Sequence, residues 1–321
     1  MRVTVTGGAG YIGSLLVGRL LAGGHDVCVL DLLLHNQRAV AAGLERAGAR
    51  LLEGDVRDGE ARAAALDGAE ALVHLGAIVG DPACAQVPEL SQAVNVDASR
   101  ALFAEADERG VARRIFASTC SNYGRMADPA VALDETAPLA PVSLYASQKV
   151  EIERELLAGG VATCLRFATV YGLSPRMRFD LTVNEFTRDL WAGRVLEVYG
   201  GQFWRPYVHA ADAGRAIELV LTQPAERVAG RVFNVGESAE NYRKQDLVEL
   251  ITAHLGRGEI SYVDRNEDPR DYRVSFERVR AELGFEPTLR VPDGIAEVAA
   301  ALEAGDFADP FGAGHSNLAP A

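Results

Sequence analysis

Tyr145 and Lys149 stand four residues apart in the run Tyr145-Ala-Ser-Gln-Lys149, a spacing that puts both side chains on one face of a helix. A lysine ammonium beside a phenol favours the phenolate and lowers its pKa, and it can also donate to a ribose hydroxyl. Tyr145 is therefore a candidate acid/base near neutral pH. Thr119, in the hydroxyl-rich run Ser118-Thr-Cys-Ser-Asn-Tyr-Gly124, is its candidate hydroxyl partner. A second constellation lies at the N-terminus. Gly7, Gly10 and Gly13 follow the short apolar run Arg2–Thr6 in the spacing G-x-x-G-x-x-G, and a three-to-four-residue apolar period begins at Tyr11 and Ile12. Strand, glycine turn and helix in that order aim free backbone N–H groups and a positive dipole end at open space, which suits a pyrophosphate.

These residues need a scaffold, and the chain reads as one. The first helix stops at Gly23-Gly24, and Asp26–Leu30 forms a second strand closed by Asp31, 18 residues after Gly13. An acid at that place accepts hydrogen bonds from ribose hydroxyls and repels a 2′-phosphate, so NAD rather than NADP is expected. Arg50–Glu53 is a third strand, followed by Gly54-Asp55-Val56, where Asp55 can accept from an adenine amino group or cap the loop. A short helix over 61–66 precedes the buried strand 71–75, in which His74 reads as a packed residue. The small residues Gly76 and Ala77 after Leu75 let a cofactor pass close to the backbone. A long helix containing Asn95 spans 90–109, a strand spans 114–118, and a further helix spans 143–157. The alternation predicts an α/β fold: a Rossmann-type doubly wound parallel sheet with a smaller C-terminal α/β lobe.

Composition bounds the function. At 321 residues and 48% hydrophobic residues the chain can bury a large core. A net charge of −13 with no block of basic residues argues against nucleic acid as a partner. The four cysteines, Cys28, Cys84, Cys120 and Cys164, are too far apart for a C-x-x-C metal site, so no metal is expected. No apolar run reaches membrane-spanning length, and strand 2–6 leaves no room for a signal peptide. A cytoplasmic protein with no membrane partner is the expectation.

With these motifs together the chain resembles the extended short-chain dehydrogenase/reductases, specifically the NAD-dependent nucleotide-sugar epimerase/dehydratase family and its UDP-glucose 4-epimerase-like branch. The segments that carry the resemblance are G7-G-A-G-Y-I-G13, Asp31, G54-D-V56, H74-L-G-A77, Asn95-Val, S118-T-C-S-N-Y-G124, Y145-A-S-Q-K149 and R166-F-A-T-V-Y-G172. The resemblance implies Tyr145 as catalytic acid/base, Lys149 as its modulator and nicotinamide-ribose ligand, and Thr119 as the third member of the triad. It implies NAD held by Gly7, Gly10, Tyr11, Ile12, Asp31, Asp55, Val56, Leu75, Gly76, Ala77, Asn95, Tyr145 and Lys149.

Departures narrow the chemistry. Dehydratases of the family carry an acid just before the hydrophobic-Tyr-Gly end of the triad strand; here Cys120 and Ser121 occupy those places, which disfavours elimination of water. A cysteine that does acid/base work in a 3,5-epimerising branch falls one position later than Cys120. Thr169 stands where many members have Asn. A 4-epimerase acting through a transient keto sugar is the favoured reading, and a one-way NAD-dependent dehydrogenase or ketoreductase is the alternative.

The second half reads as the substrate lobe. Residues 1–172 are assigned to the cofactor domain, 173–304 to a substrate lobe whose segments around 208–236 return to the first domain, and 305–321 to a mobile tail. Arg176, Arg178, Arg205 and Arg270 are many loop arginines for so acidic a chain, and arginine suits bidentate binding of a diphosphate. The resemblance places Asn184 and Arg205 on the nucleotide diphosphate and Arg270, more loosely, beside them. Thr119, Cys120, Ser121 and Thr169 complete the expected substrate set. Helices 90–109 and 143–157 resemble those that form a four-helix homodimer interface in relatives.

Overall fold

Val3, Val5, Val27 and Val29 are all fully buried, and their β-branched side chains make the centre of the sheet from which the fold is built. The computed structural model describes residues 1–128, 130–160, 162–263 and 270–317. The first half runs β1 (Arg2–Thr6), α1 (Tyr11–Ala22), β2 (Asp26–Asp31), α2 (Arg38–Arg46), β3 (Arg50–Glu53), α3 (Gly59–Ala65), β4 (Ala71–His74) and α4 (Asp81–Gln86). It continues through α5 (Pro88–Gln92), a π-helical stretch Ala93–Ala98, α6 (Ser99–Glu108), β5 (Arg113–Thr119), α7 (Leu144–Gly159) and β6 (Ala162–Phe167).

The second half holds β7 (Thr169–Tyr171), α8 (Thr182–Trp191), β8 (Val195–Tyr199), β9 (Trp204–His209), α9 (Ala210–Thr222), α10 (Ala225–Val228) and β10 (Val232–Val235). It closes with β11 (Asn241–Arg243), α11 (Lys244–Leu255), β12 (Glu259–Val263), α12 (Glu277–Leu283) and α13 (Val291–Ala304).

Seven strands form one parallel sheet in the order β10-β6-β5-β4-β1-β2-β3. The order reverses between β1 and β4, and a crevice opens at the carboxyl ends of the strands there. The expected doubly wound sheet is thus present. Its last strand, β10, comes from the second half and pairs with β6 in register Val232↔Cys164 to Val235↔Phe167. α9 crosses back to lie on α1, where Gly214 brings the two helices close: a Cβ there would sit 3.7 Å from Leu16 Cα. Two small sheets, β11-β9-β7 and β12-β8, make the C-terminal lobe around Tyr171, Leu190, Tyr207 and Ile251.

The helix expected over 90–109 is present with one irregularity. α5, the π-helical stretch and α6 form a continuous run from Pro88 to Glu108, and the widened turn falls at Asn95. Of residues 305–321, expected as a mobile tail, 306–317 are packed instead, and 318–321 lie outside the described residues. The Phe307 ring lies 5.0 Å from Phe179 and that of His315 5.5 Å from it, and Phe179 N donates to His315 O at 2.8 Å. The Arg194 guanidinium stacks 3.4 Å over Phe311. Composition alone misses this because two phenylalanines in a Gly/Ala/Pro-rich stretch are enough to anchor it on α8.

Candidate active site

The crevice is a cavity of about 490 Å³ that runs from the glycine turn to the end of β5. Gly7 sits at φ +69°, and a Cβ on it would come within 2.7 Å of Gly76 N; one on Gly13 would meet backbone of the turn itself. β1, β4 and α1 therefore converge only because both positions lack a side chain. Gly10 caps α1 without any side-chain bond, so the first N–H groups of the helix face the cavity. Asp31, at the carboxyl end of β2, accepts from Ala9 N at 3.0 Å and from Leu33 N at 2.9 Å, which locks the turn to the second strand. Burial raises its carboxyl pKa. Gly7, Gly10, Tyr11, Ile12, Asp31, Asp55, Val56, Leu75, Gly76 and Ala77 all line the cavity. Asp55 does so while its carboxylate is held by the Arg57 backbone N–H at 2.8 Å and by the Arg57 guanidinium, the loop-capping arrangement. This set fits NAD: a side-chain-free helix N-terminus, a glycine cradle and an acid at the ribose end.

At the other end Thr119, Tyr145 and Lys149 line the same cavity. Thr119 ends β5, where its hydroxyl accepts from Ser121 N at 3.1 Å and starts the next turn. Ser143 caps α7 by accepting from Ala146 N, which fixes the first helical turn and so Tyr145 and Lys149 one turn apart. Lys149 is buried, its Nζ donating to Ala117 O at 2.8 Å and lying 4.6 Å from the Phe116 ring centroid. Burial pushes its ammonium down to about 8.

The phenol departs from expectation. Its pKa is raised rather than lowered, because burial dominates and the neighbouring Cys84 and Asp81 add to it. Lys149 does not offset this, since its Nζ is turned to Ala117 O and stands 5.9 Å from the Tyr145 ring centroid. His74 is a packed residue, bonded to Thr6 Oγ1 at 2.6 Å and Ser99 Oγ at 2.8 Å, and burial holds it neutral with a pKa pushed down to about 3.

Four expected ligands are placed elsewhere. Asn95 does not line the cavity; its amide accepts from Ile78 N at 2.8 Å and donates to Ile78 O and to Gln148 Oε1, so it shapes the cavity wall after β4. Asn184 is fully buried, accepts from Gly172 N and donates to Tyr11 Oη and Arg178 O, which leaves its amide committed inside the lobe. Arg205 lies behind the wall with its guanidinium 5.3 Å from the Tyr272 ring. Cys120 is buried with its thiol donating to Arg166 O at 3.2 Å, and burial raises its pKa well above normal. Ser121, Thr169 and Arg270 do line the cavity, Arg270 in an ion pair with Asp81 at 2.8 Å.

The sequence reading missed Ile78, Val79 and Tyr272, which also line this end. Tyr272 was within reach of it, as the residue two past Arg270, and its hydroxyl meets Ser121 Oγ at 3.3 Å. Arg176 and Asn317 line the cavity too, at the end near Asp31. Among the described residues no helix is long and apolar enough to cross a membrane.

Comparison with known proteins agrees with this geometry. The chain is 30% identical over 315 residues to a UDP-glucose 4-epimerase of Corynebacterium glutamicum, covering 89% of this chain and 91% of that one. It is 33% identical over 311 residues to a dTDP-glucose 4,6-dehydratase of Streptomyces griseus, covering 92% of each. The crystal structure of Thermus thermophilus UDP-glucose 4-epimerase in complex with NAD superposes with a TM-score of 0.82 at 27% identity, over 94% of this chain and 99% of that one. Residues 3–236 match the NAD dependent epimerase/dehydratase family. An NAD-dependent enzyme of the epimerase/dehydratase family is what this sequence encodes, and the chain belongs to that family.

Proposed function

We propose that this enzyme epimerises a nucleotide-linked sugar at one ring carbon, as a 4-epimerase does. The observation that carries the reading is the make-up of the cavity beside the triad. Thr119, Tyr145 and Lys149 line it, whereas among the described residues its lining carboxylates are Asp31 and Asp55, both at the glycine-turn end. Asp81 stands nearby, does not line the cavity and is held in an ion pair with Arg270 at 2.8 Å. Cys120 is buried and committed to Arg166 O. Elimination of water needs an acid over the sugar ring, and neither that thiol nor the Ser121 hydroxyl is one at neutral pH.

When bound, NAD would accept the hydride and return it, and its positive charge would favour the Tyr145 phenolate. Tyr145 then takes the proton of the ring hydroxyl and later gives it back. Thr119 would donate to the same oxygen, and Lys149, anchored by Ala117 O, would hold the cofactor's ribose. The 4-keto sugar turns between the two half-reactions. Apolar Ile78 and Val79 suit a ring that must rotate, since they offer no hydrogen bond that would fix one face. In this reading Arg270, Ser121 and Tyr272, which line the cavity, would meet the nucleotide diphosphate.

In this reading residues 1–172 hold the cofactor and 173–304 the sugar nucleotide, in the cytoplasm. The enzyme would form a homodimer through α6 and α7. The outward residues of that pair include Arg100, Glu151, Arg154 and Glu155, and Arg100 already bonds Glu151 and Glu155 within one chain. Such an interface would be ionic and salt-sensitive rather than an apolar seam.

The test is to incubate the protein and NAD with UDP-glucose and, separately, dTDP-glucose, and to follow the sugar by NMR. The C4 epimer with no build-up of NADH is expected. A 4-keto-6-deoxy product, or stoichiometric NADH, would replace the reading with dehydration or one-way oxidation.

A further inference from the structure

Among the described residues Arg176 has no carboxylate at ion-pair distance, in a wall where its neighbour has one. Arg178, two residues on, is held by Asp180 at 2.9 and 2.7 Å. Arg176 is 4% exposed and lines the cavity; its Nη2 donates to Ser316 O at 2.9 Å, and its Nε is buried with no hydrogen-bond partner among the described residues. Burial and then the adjacent Arg178 disfavour its charge, and the more distant carboxylates of Asp180 and Asp31 offset them only in part, so its pKa is lowered to about 10. A buried guanidinium with an unused donor is costly unless an anion completes it.

The anion's place follows from what the segment 172–178 touches. Tyr11 Oη donates to Gly172 O at 2.5 Å, and Ser174 Oγ donates to Tyr11 O at 2.7 Å and meets Ser14 Oγ at 3.1 Å. The segment is thus fastened to the first turn of α1, the uncapped helix end at which a diphosphate sits. We infer that Arg176 binds the diphosphate of NAD from the side opposite the glycine turn. The C-terminal segment positions it: Ser316 O holds the guanidinium, and Asn317 N is pinned to Asp180 Oδ2 at 3.0 Å. The two lobes then grip the cofactor from both sides. This assignment rests on the cofactor site alone and holds whichever chemistry the triad performs on the sugar.

The test uses the full chain freed of nucleotide and calorimetric titration with NAD+, ADP, adenosine and NADP+. Arg176→Met should weaken NAD+ and ADP by about 10- to 100-fold and leave adenosine within about threefold, the loss expected for one charged hydrogen-bond donor. Unchanged NAD+ and ADP affinities in a folded variant would overturn the assignment, as would an equal loss for adenosine, which marks a purely structural role. If wild type binds NADP+ as tightly as NAD+ and the variant loses only NADP+, the arginine serves a ribose 2′-phosphate and the diphosphate assignment falls. Should Arg176→Met fail to fold, Arg176→Lys decides, because it keeps the charge and lacks the Nε donor. A loss of about threefold or more for ADP with adenosine unchanged is expected, and equal affinities overturn it. Wild-type protein that binds none of these nucleotides would overturn the cofactor site itself.

Discussion

The two ends of the cavity are built on opposite plans. At the glycine-turn end the protein removes side chains so that backbone N–H groups of α1 can approach a ligand, and the geometry is fixed by Gly7 packed against Gly76 on one side and Gly13 on the other. At the triad end it does the reverse, filling the wall with Tyr145, Lys149 and Thr119 and orienting them by bonds to Ala117 O and Ser121 N. The first end is spoiled by adding an atom and the second by taking one away. Tyr145→Phe removes a single oxygen and should lower turnover by about a thousandfold, within the range for loss of a general acid/base. NAD affinity should stay within about threefold of wild type. Product formation at wild-type rate would break the assignment of Tyr145, and a large loss of NAD affinity would show that the two ends are not separate.

Gly13→Ala is the converse experiment. Its methyl would collide with Gly7 O and sit 2.7 Å from Gly8 Cα, both backbone atoms with no rotamer to relieve the overlap. A loss of roughly 3 kcal/mol or more in folding stability is expected, together with loss of bound NAD. Differential scanning calorimetry and mass analysis of nucleotide released on denaturation read both effects. A stable variant that keeps its NAD would mean that the turn relaxes freely, and that glycine there answers to something other than contact between β1, β4 and α1.

This contrast also explains what could be read from the sequence. The glycine-turn end is a local object: the strand, the turn, the helix and Asp31 lie within 31 consecutive residues, and the period and spacing of those residues state the geometry directly. Tyr145 and Lys149 were legible for the same reason, since one helix sets their relation. The opposite wall is not local. Asn184 and Arg176 offer similar donors and lie eight residues apart, yet the amide is used up by Gly172 and Arg178 while Arg176 lines the cavity. That choice is made by how α8 and the C-terminal segment pack, and nothing in the residue types reports it. Arg205 was misplaced likewise, because its partner Tyr272 lies 67 residues away. Asn95 had the right motif but acts on the cavity through the backbone of Ile78.

Lys149 lies where the two plans meet, and its environment opposes its charge. Burial lowers its pKa from an ordinary 10.5 to about 8, so at pH 7 the protonated lysine costs the native state up to about 3 kcal/mol. Loss of the bond to Ala117 O would give back about 1 kcal/mol of that in a variant. Lys149→Met should therefore be inactive yet more stable than wild type, by about 2 kcal/mol at pH 7 in nucleotide-free protein. The sign with pH follows: the unfolded lysine still holds its proton between pH 8 and 10.5 while the folded one has released it, so wild type gains stability across that window. The advantage of the variant should shrink as pH rises through it. Thermal melts at pH 7 and pH 10 measure both points. A variant less stable than wild type at pH 7 would show that the ammonium is better solvated than its burial implies.

The smallest effect concerns the joint beneath both ends. His74 ends β4, bonded on one side to Thr6 of β1 and on the other to Ser99 at the start of α6. Thr6 Oγ1 in turn accepts from Gly76 N, and Ser99 Oγ donates to Asn95 O, so this ring connects the glycine cradle to the π-helical turn that shapes the wall. Burial, with a further contribution from Lys149, keeps the imidazole neutral down to about pH 3. The unfolded chain takes up a proton near pH 6.5 and the native state does not, so stability is lost as pH falls below that value, at about 1.4 kcal/mol per unit. Between pH 6.5 and 5.5 this amounts to about 1 kcal/mol, allowing for partial protonation near the upper limit. His74→Gln keeps a donor and an acceptor at the site but cannot titrate. Its melting temperature should start lower at pH 7 and fall less steeply than wild type over that pH interval. Parallel slopes for the two proteins would place the acid sensitivity in the carboxylates instead, and would leave His74 as a spacer between β1 and α6 rather than a titrating joint.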